Sequence, residues 1–482
     1  MSKKLISSRK DSGLGQKNRR EFLKATGILA VSGTVSASQI KEAPQDKKSC
    51  TPGCDYDVVI IGGGFAGVTA SRDCVENGYK TLLLEARNRL GGRTFSSELD
   101  GNQIELGGAW IHHSQPFVWA EKERYSMEVD ETPGAMPDYM ITIENGKQKI
   151  LNAEEVGVVL EAFQRYLSDS RTVIPRPYEL MFNGELAIAA DKQSARTRLD
   201  EFDFPKYAYD MIDGYLGAAG GSTPDNMSYL EALRCTELSG GSFTTYMDAG
   251  GRFKLRDGTQ ALIENMLNDA RPEIRLSTPV KEIVDLTSQV RVTTARGESV
   301  TAAAVIVALP MNVLPSLDFS PPLDSKLLQA TKEGHAGKGY KQYIKVRGNH
   351  GNLFGAASSK NPYSVIGTFQ EGDGYTIIVA FGADTTFDPY DDRAVQSALS
   401  AFIPDVEVIS STFYDWQLDP YSKGTYCNYA PKWMTKYDEV FARDNGRILF
   451  AQGDHGEGWR GYIDGAIGAG LKSAQRVKNL IG

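Results

Sequence analysis

The sequence predicts an α/β protein in which a Rossmann-type nucleotide-binding domain is interleaved with an α+β domain. The chain has 482 residues, more than one hydrophobic core usually holds, so two domains are expected. A buried strand over 56–61, a helix over 65–77 and a second strand over 80–84 form a βαβ unit. A buried strand over 446–451 and a final helix over 462–479 place similar segments at the other end of the chain.

The other elements are predicted from apolar periodicity and turn residues. The run MITIENGKQKI indicates a hairpin that turns at Asn145-Gly146, a pair that favours a tight two-residue turn. The remaining predictions are helices over 153–168, 226–236 and 391–404, a hairpin over 289–309 and a strand over 375–383.

The composition is that of a globular protein, with 41% hydrophobic and 24% charged residues and a formal charge of −8. No basic patch dominates, so nucleic acid is not an expected partner. The five cysteines and five histidines show no metal-ligand spacing apart from the neighbours His112-His113, so no metal site is predicted.

The first 37 residues have the regions of a twin-arginine signal peptide. The pair RR at 19–20 precedes FLK at 22–24, and VSA at 35–37 resembles an A-x-A cleavage site. The apolar run between them has about a dozen residues, too short for a membrane span. We therefore expect export to the periplasm without a membrane anchor.

Residues 38–54 form a polar linker that contains Cys50 and Cys54, for which a disulfide and two free thiols both remain open. The leader holds eight Lys/Arg and two Asp/Glu, so cleavage changes the formal charge from −8 to −14. A strongly acidic mature protein attracts cationic ligands.

Gly62, Gly64 and Gly67 form a G-x-G-x-x-G pattern between the first strand and its helix. In a dinucleotide site these glycines permit a tight turn, a close approach to pyrophosphate and tight helix–strand packing. Glu85 ends the next strand, where a carboxylate can accept the ribose hydroxyls. The pattern alone also fits a purely structural turn, but its context favours a dinucleotide.

A second glycine pair distinguishes a resident flavin from a transient nicotinamide. Gly91-Gly92 and Arg93 follow the ribose carboxylate, where a buried FAD needs a cationic clamp for its pyrophosphate and ribitol. Gly107-Gly108 allow another close backbone approach, which we expect against the isoalloxazine ring. The sequence therefore predicts FAD.

These motifs, with the C-terminal RILFAQGDHGEGWRGYIDGAIGAG, resemble the flavin-containing amine oxidase family over roughly 55–482. Within the family, QPFVWAEKERY (115–125) and PRPYELMF (175–182) are most similar to the bacterial nicotine- and pseudooxynicotine-oxidising members. The resemblance implies the amine oxidase fold, with the nucleotide domain over 55–130, 246–312 and 413–482. The substrate domain would then comprise 131–245 and 313–412.

The resemblance also implies the cofactor contacts. Val280 would meet the adenine, Asp454 the ribitol, and the helix that starts near Tyr462 the flavin pyrimidine, since a helix N-terminus favours negative charge. The full set is Gly62, Gly64, Phe65, Ala66, Gly67, Glu85, Ala86, Arg87, Gly91, Gly92, Arg93, Gly107, Gly108, Ala109, Trp110, Val280, Asp454, Tyr462 and Ile463.

Two positions depart from the family pattern. Gln452 stands where glycine is usual, so the local backbone is expected to differ. Thr425 stands where covalently flavinylated members carry cysteine, so we expect FAD to be bound non-covalently.

Four side chains are implied as catalytic. Lys341 matches the lysine that orders a water at the flavin, although a lysine in an alternating strand more often faces solvent. Trp416 matches a tryptophan beside the flavin, with core packing as its ordinary alternative. Tyr426 and Tyr462 match the two aromatic residues that sandwich the amine, although the chain has 22 tyrosines. Nicotine-oxidising members replace one or both, which favours a more general amine over nicotine itself.

The predicted reaction is the transfer of a hydride from the α-carbon of a neutral amine to FAD, followed by hydrolysis of the imine. The electron acceptor is dioxygen or an exported carrier such as a c-type cytochrome, and a homodimer is a further expectation. One alternative is an oxidase of amino acids or another substrate on the same fold, with Arg460 or Arg252 binding the substrate carboxylate. The other is a non-redox flavoprotein, such as an isomerase or a binding protein.

Overall fold

The computed structural model describes residues 53–384, 386–441 and 443–482. The predicted signal peptide and Cys50 lie outside the described residues. The Cys54 thiol is within hydrogen-bond distance of Gln289 Oε1, at 3.4 Å.

The described chain alternates strands and helices along its length. The strands are β1 (Tyr56–Ile61), β2 (Thr81–Leu84), β3 (Ser96–Leu99), β4 (Asn102–Glu105), β5 (Trp110–Ile111), β6 (Val129–Glu131), β7 (Tyr139–Glu144), β8 (Lys147–Ile150), β9 (Phe253–Leu255), β10 (Glu273–Arg275), β11 (Val280–Asp285), β12 (Val290–Thr294), β13 (Ser299–Val307), β14 (Asp318–Ser320), β15 (Tyr340–Arg347), β16 (Leu353–Ala356), β17 (Val365–Gly372), β18 (Tyr375–Gly382), β19 (Val408–Phe413) and β20 (Ile448–Phe450).

The helices connect these strands, and several of them cover the sheets. They are α1 (Phe65–Glu76), α2 (Pro116–Arg124), α3 (Ala153–Tyr166), α4 (Ser170–Val173), α5 (Gly184–Lys192), α6 (Ala195–Leu199), α7 (Lys206–Gly220), α8 (Tyr229–Leu238), α9 (Phe243–Gly251), α10 (Gly258–Ala270), α11 (Ser325–Glu333), α12 (Asp392–Ser400), α13 (Trp433–Phe441) and α14 (Ile463–Ile481). None of these described helices combines the length and the apolar run needed to cross a membrane.

The first sheet has the strand order β10-β2-β1-β13-β12-β11-β14, with β20 also paired to β13. Its centre is parallel, and every residue of β1 is buried, as expected for a strand covered on both faces. The C-terminal β20 and α14 join the N-terminal unit, with β20 beside β13 and α14 packed on α1. Segments from both ends of the chain therefore build one nucleotide-type layer.

The second sheet has the order β19-β15-β18-β17-β16-β7-β8 and is antiparallel except between β16 and β7. Its strands fall in the segments predicted for the substrate domain, apart from the last residue of β19. However, β14 lies within the predicted 313–412 segment and pairs with β11 of the first sheet. The exact domain boundaries stay a prediction.

Most predicted local elements are present with shifted ends. The hairpin of β7 and β8 turns at Asn145 and Gly146, whose φ angles are 53° and 75°, and β12 pairs antiparallel with β13. The helix predicted over 391–404 ends at Ser400, and its N-cap Asp391 accepts from the backbone N–H of Arg393. Local sequence signals therefore located the elements better than their boundaries.

Candidate active site

A cavity of about 590 Å³ is lined by residues of both sheets, by the N-terminus of α1 and by the segment that leads into α14. This volume lies within the range of ordinary ligand and cofactor pockets. All predicted cofactor-binding and catalytic residues line it except Gly67 and Asp454.

Backbone atoms dominate the dinucleotide end of the cavity. The backbone φ of Gly62 is +107°, a value that residues with a side chain rarely adopt. Gly64 is the N-cap of α1, and no side chain caps this helix N-terminus. The Glu85 carboxylate accepts from the backbone N–H groups of Gly63 and Arg87, both at 2.7 Å. A free helix N-terminus beside a fixed carboxylate suits a pyrophosphate and a ribose.

Gly67 serves packing and does not line the cavity. A Cβ at this position would lie 1.9 Å from the carbonyl oxygen of Gly62. The third glycine of the pattern therefore brings α1 against β1, which is the role expected of it.

Arg93 connects the second glycine pair to the C-terminal part of the site. Its guanidinium donates to the carbonyl oxygen of Thr425 at 2.8 Å and to Asp454 Oδ1 at 2.5 Å. Asp454 is fully buried and also accepts from the N–H of Met311 at 2.8 Å. Burial raises the pKa of Asp454, but Arg93 and the other partners outweigh it and lower that pKa. The Asp454 carboxylate holds Arg93 in place, and its contact with a ribitol stays a prediction.

The segment with Gly107 and Gly108 passes close to Arg93. A Cβ at Gly107 would lie 2.0 Å from the carbonyl oxygen of Arg93, and one at Gly108 would lie 3.6 Å from a side-chain carbon of Ile463. The indole N–H of Trp110 donates to Thr132 Oγ1 at 2.9 Å. Gly107 and Gly108 thus form a closely packed, glycine-lined wall of the cavity.

Lys341 projects from β15 into the cavity lining, and its ammonium donates to the carbonyl oxygen of Gly107. The Nζ atom lies 5.1 Å from the ring centres of both Trp110 and Tyr343. Burial lowers the pKa of Lys341 to about 7, and the neighbouring Glu105 carboxylate partly opposes this change. The lysine is therefore placed against the glycine-lined wall and titrates far below an exposed lysine.

Trp416 is buried beside the same wall. Its indole N–H donates to the carbonyl oxygen of Leu106 at 3.0 Å, and its ring lies 4.5 Å from that of Tyr414. Trp416 also lines the cavity, so the structure gives it both core packing and a position at the site.

Tyr426 and Tyr462 line the cavity from two different segments. The Tyr426 hydroxyl donates to the carbonyl oxygen of Ala218, and the ring packs on Gly221, where a Cβ would lie 3.2 Å from it. Tyr462 is the N-cap of α14, and its ring meets that of Trp459 edge-on at 5.0 Å and 76°. Burial raises the pKa of both tyrosines, so their phenols stay protonated.

A buried ion cluster behind Tyr462 was not predicted as a unit. Glu231 on α8 accepts from Arg234 at 3.0 Å and from the guanidinium of Arg460. Arg234 also donates to the carbonyl oxygens of Gly458, at 2.6 Å, and Arg460, at 3.3 Å. The cluster thus fastens the loop before Tyr462 to α8. The sequence signal was limited to the i,i+3 spacing of Glu231 and Arg234.

The lining fits a bound FAD. The N-termini of α1 and α14 both reach the cavity without a side-chain cap, so their free N–H groups suit a pyrophosphate and a developing negative charge on a ring. Among the described residues there is no cluster of side chains able to hold a metal ion.

Comparison with known proteins agrees with this arrangement. A model of the family described as flavin containing amine oxidoreductase matches residues 65–478. A pseudooxynicotine dehydrogenase from a Pseudomonas species is 38% identical over 478 residues, which cover 96% of each chain. A nicotine dehydrogenase from Pseudomonas putida is 34% identical and covers 96% of this chain and 98% of its own.

Two solved structures show the same fold. A putrescine oxidase bound to putrescine has a TM-score of 0.77 at 20% identity and covers 88% of this chain and 99% of its own. A cyclohexylamine oxidase from Brevibacterium oxydans has a TM-score of 0.73 at 18% identity with the same coverage. These matches confirm the fold and the resemblance that the sequence motifs predicted.

Proposed function

The chain belongs to the flavin-containing amine oxidoreductases and uses FAD, and we propose that it oxidises a hydrophobic secondary amine with a single amine group. The observation that carries this proposal is the part of the cavity lined by Tyr426 and Tyr462, called the amine end, in a largely apolar lining. The name of one relative, a pseudooxynicotine dehydrogenase, supports a secondary amine of this type.

The charge of the lining favours a single amine group. Among the described lining residues Glu85, at the dinucleotide end, is the one carboxylate. A substrate with a second ammonium group would need a buried anion there, because an unpaired charge is costly to bury. We therefore expect monoamines to be oxidised more efficiently than diamines.

Each residue of the amine end has a physical role in this proposal. The faces of the Tyr426 and Tyr462 rings attract the amine nitrogen and align its α-carbon. The apolar lining penalises charge, so it favours the deprotonated amine from which hydride can leave. When bound, FAD supplies the hydride acceptor. Lys341 places a donor on the carbonyl oxygen of Gly107, at the edge of the glycine-lined wall.

The amino-acid alternative has less support. Neither Arg460 nor Arg252 lines the cavity. Arg460 is paired with buried Glu231, and Arg252 with Glu131 and Asp248. Neither guanidinium is placed to bind a substrate carboxylate.

The central experiment is anaerobic stopped-flow reduction with primary, secondary and cyclic amines. Bleaching of the flavin by amines supports an amine oxidoreductase, whereas an unchanged spectrum with every amine would support the non-redox alternative. Tyr426→Ala and Tyr462→Ala should each slow reduction by about a hundredfold, because misalignment of about 1 Å has this effect. The control is Tyr390→Ala, whose side chain is 71% exposed and does not line the cavity. If Tyr426→Ala and Tyr462→Ala both reduce the flavin at the wild-type rate, these tyrosines do not align the amine.

We also propose that FAD is held without a covalent bond. Position 425 has no thiol, and the Cys427 thiol faces the carbonyl oxygen of Asp454 at 3.5 Å. Burial raises the pKa of that thiol, which keeps it unreactive. Acid precipitation should leave all flavin in the supernatant, and flavin in the pellet would contradict this proposal.

Export and the electron acceptor complete the proposal. The arginines at 19 and 20 support twin-arginine transport to the periplasm, and their joint replacement by lysine should retain flavin-loaded enzyme in the cytoplasm. Reoxidation is by dioxygen or by a carrier such as a c-type cytochrome. Parallel measurement of oxygen consumption and cytochrome c reduction distinguishes these acceptors.

A further inference from the structure

Three tyrosine hydroxyls and a thiol meet at the amine end of the cavity. Tyr215 comes from α7, Cys235 from α8 and Tyr246 from α9, and Tyr462 is the N-cap of α14. All four residues line the cavity. Three successive helices and the distant start of α14 thus place polar groups in a largely apolar lining.

The packing fixes these groups against one another. The Tyr215 and Tyr246 rings meet edge-on at 5.9 Å and 89°. The hydroxyls of Tyr246 and Tyr462 lie close enough to interact electrostatically. A Cβ at Gly250, another lining residue, would lie 3.9 Å from the Tyr215 hydroxyl, and Cys235 lies within electrostatic range of all three tyrosines.

The cluster has more hydrogen-bond donors than acceptors for them. The hydroxyls of Tyr246 and Tyr462 carry two hydrogens, and a bond between them would use at most one, so at least one is left over. The Tyr215 hydroxyl has no hydrogen-bond partner among the described residues. Burial raises the pKa of all three tyrosines, so each phenol keeps its hydrogen.

The surroundings determine which kind of acceptor fits. An anion would need a free cation beside it, but the nearby Arg234 is already bound to Glu231 and to two carbonyl oxygens. The negative charge of Asp248 acts on Tyr215 and disfavours a second anion. A neutral oxygen or nitrogen acceptor satisfies the donors without adding charge.

We propose that Tyr215 and Tyr246, together with Cys235, form a donor pocket for a neutral hydrogen-bond acceptor on the substrate, of the ketone or heteroaromatic-nitrogen class. The proposal rests on the amine-oxidising function and adds a requirement for the part of the substrate remote from the amine. Buried polar groups are nearly always hydrogen-bonded. A pocket of this kind rejects an analogue that lacks the acceptor, because its donors are then left unpaired.

The test compares matched amines that differ by one oxygen. Each N-methyl-ω-phenylalkylamine with a ketone at the third, fourth or fifth carbon from nitrogen is paired with the same amine carrying a methylene there. Stopped-flow reduction gives the limiting rate divided by the dissociation constant for each amine. We expect the wild type to prefer at least one ketone by about tenfold or more. Tyr215→Phe and Tyr246→Phe should bring that ratio close to one, because the ratio within each variant cancels any effect that the two amines share.

Tyr139→Phe is the matched control, because the Tyr139 hydroxyl donates to the carbonyl oxygen of His350 at 2.7 Å and the residue does not line the cavity. This variant should keep the wild-type ratio. Equal use of ketone and methylene amines by the wild type, or a preference that survives in both cavity variants, would overturn the pocket. If no amine bleaches the flavin, the proposed function fails, and binding of the same pairs, followed as a shift in flavin absorbance, still decides the pocket.

Discussion

The two ends of the cavity are built from different parts of the chain. At the dinucleotide end, backbone N–H groups and glycine positions from β1, α1 and the segment 91–93 provide most of the surface. At the amine end, the surface consists of side chains from four or more segments, among them Tyr215, Tyr426 and Tyr462. The surface predicted to hold the cofactor is therefore built largely from backbone, whereas the predicted substrate surface depends on side chains that can change without altering the fold.

This difference predicts different responses to mutation. A backbone-built site fails where an added Cβ would meet backbone atoms, as at Gly62 and Gly67. A side-chain-built site tolerates small changes of shape but loses stability when a buried charge or hydrogen bond is left unpaired.

The largest effect is expected at Gly67. A Cβ there would lie 1.9 Å from the carbonyl oxygen of Gly62, so Gly67→Ala should push α1 away from β1 and abolish FAD binding. The ratio of flavin to protein after purification measures the result. Gly157→Ala is the control, because Gly157 lies within helix α3 with no atom within 4 Å of its added Cβ. A full complement of flavin in Gly67→Ala would show that the turn is less constrained than its geometry indicates.

A smaller effect is expected from Glu231→Gln at the amine end. The change leaves two buried arginines, Arg234 and Arg460, without their carboxylate, and breaking such a pair costs about 3–5 kcal/mol. Urea unfolding measures this loss. The control is Glu179→Gln, whose partner Arg176 is exposed and 3.2 Å away, and it should cost less than about 1 kcal/mol. If Glu231→Gln and Glu179→Gln lose the same free energy of unfolding, the buried cluster does not hold the loop before Tyr462.

The same difference explains what the sequence could predict. The glycine pattern and the Asn145-Gly146 turn are local signals, because each residue acts on near neighbours in the chain. Glu85 is also predictable, because it ends the next strand of the same βαβ unit and accepts from Gly63. The pairing of Glu231 with Arg460 spans 229 positions and has no local signature. Arg460 accordingly looked like a candidate for binding a substrate carboxylate until the fold placed it beside Glu231.

Asp454 shows how a resemblance can locate a residue without determining its contact. The acidic residue is expected at the ribitol, which stays a prediction, and the fold buries it against Arg93 and the backbone N–H of Met311. The motif located Asp454 next to the cavity, because its partner Arg93 lines the cavity. The direction of the carboxylate depends on tertiary packing that the motif does not encode.

The smallest expected effect concerns Lys341, which lies where the two ends of the cavity meet. Below about pH 7 the ammonium is protonated, and it loses its charge as the pH rises through this value. A nearby cation stabilises negative charge that develops on dioxygen, so reoxidation by dioxygen should slow as the pH rises through 7. Lys341→Met should remove this dependence and lower the rate at pH 6 by about tenfold or more, while FAD stays bound.

Lys345→Met is the matched control on the same strand, since Lys345 lies 3.4 Å from Asp100 and does not line the cavity. Its reoxidation should keep the wild-type pH profile. Stopped-flow mixing of the amine-reduced enzyme with aerated buffer from pH 6 to pH 9 measures the profile. If Lys341→Met retains the decline near pH 7, the titrating group lies elsewhere in the cavity. If Lys341→Met changes only the rate of flavin reduction by amine, Lys341 acts on the substrate, and β15 then belongs to the amine end of the cavity.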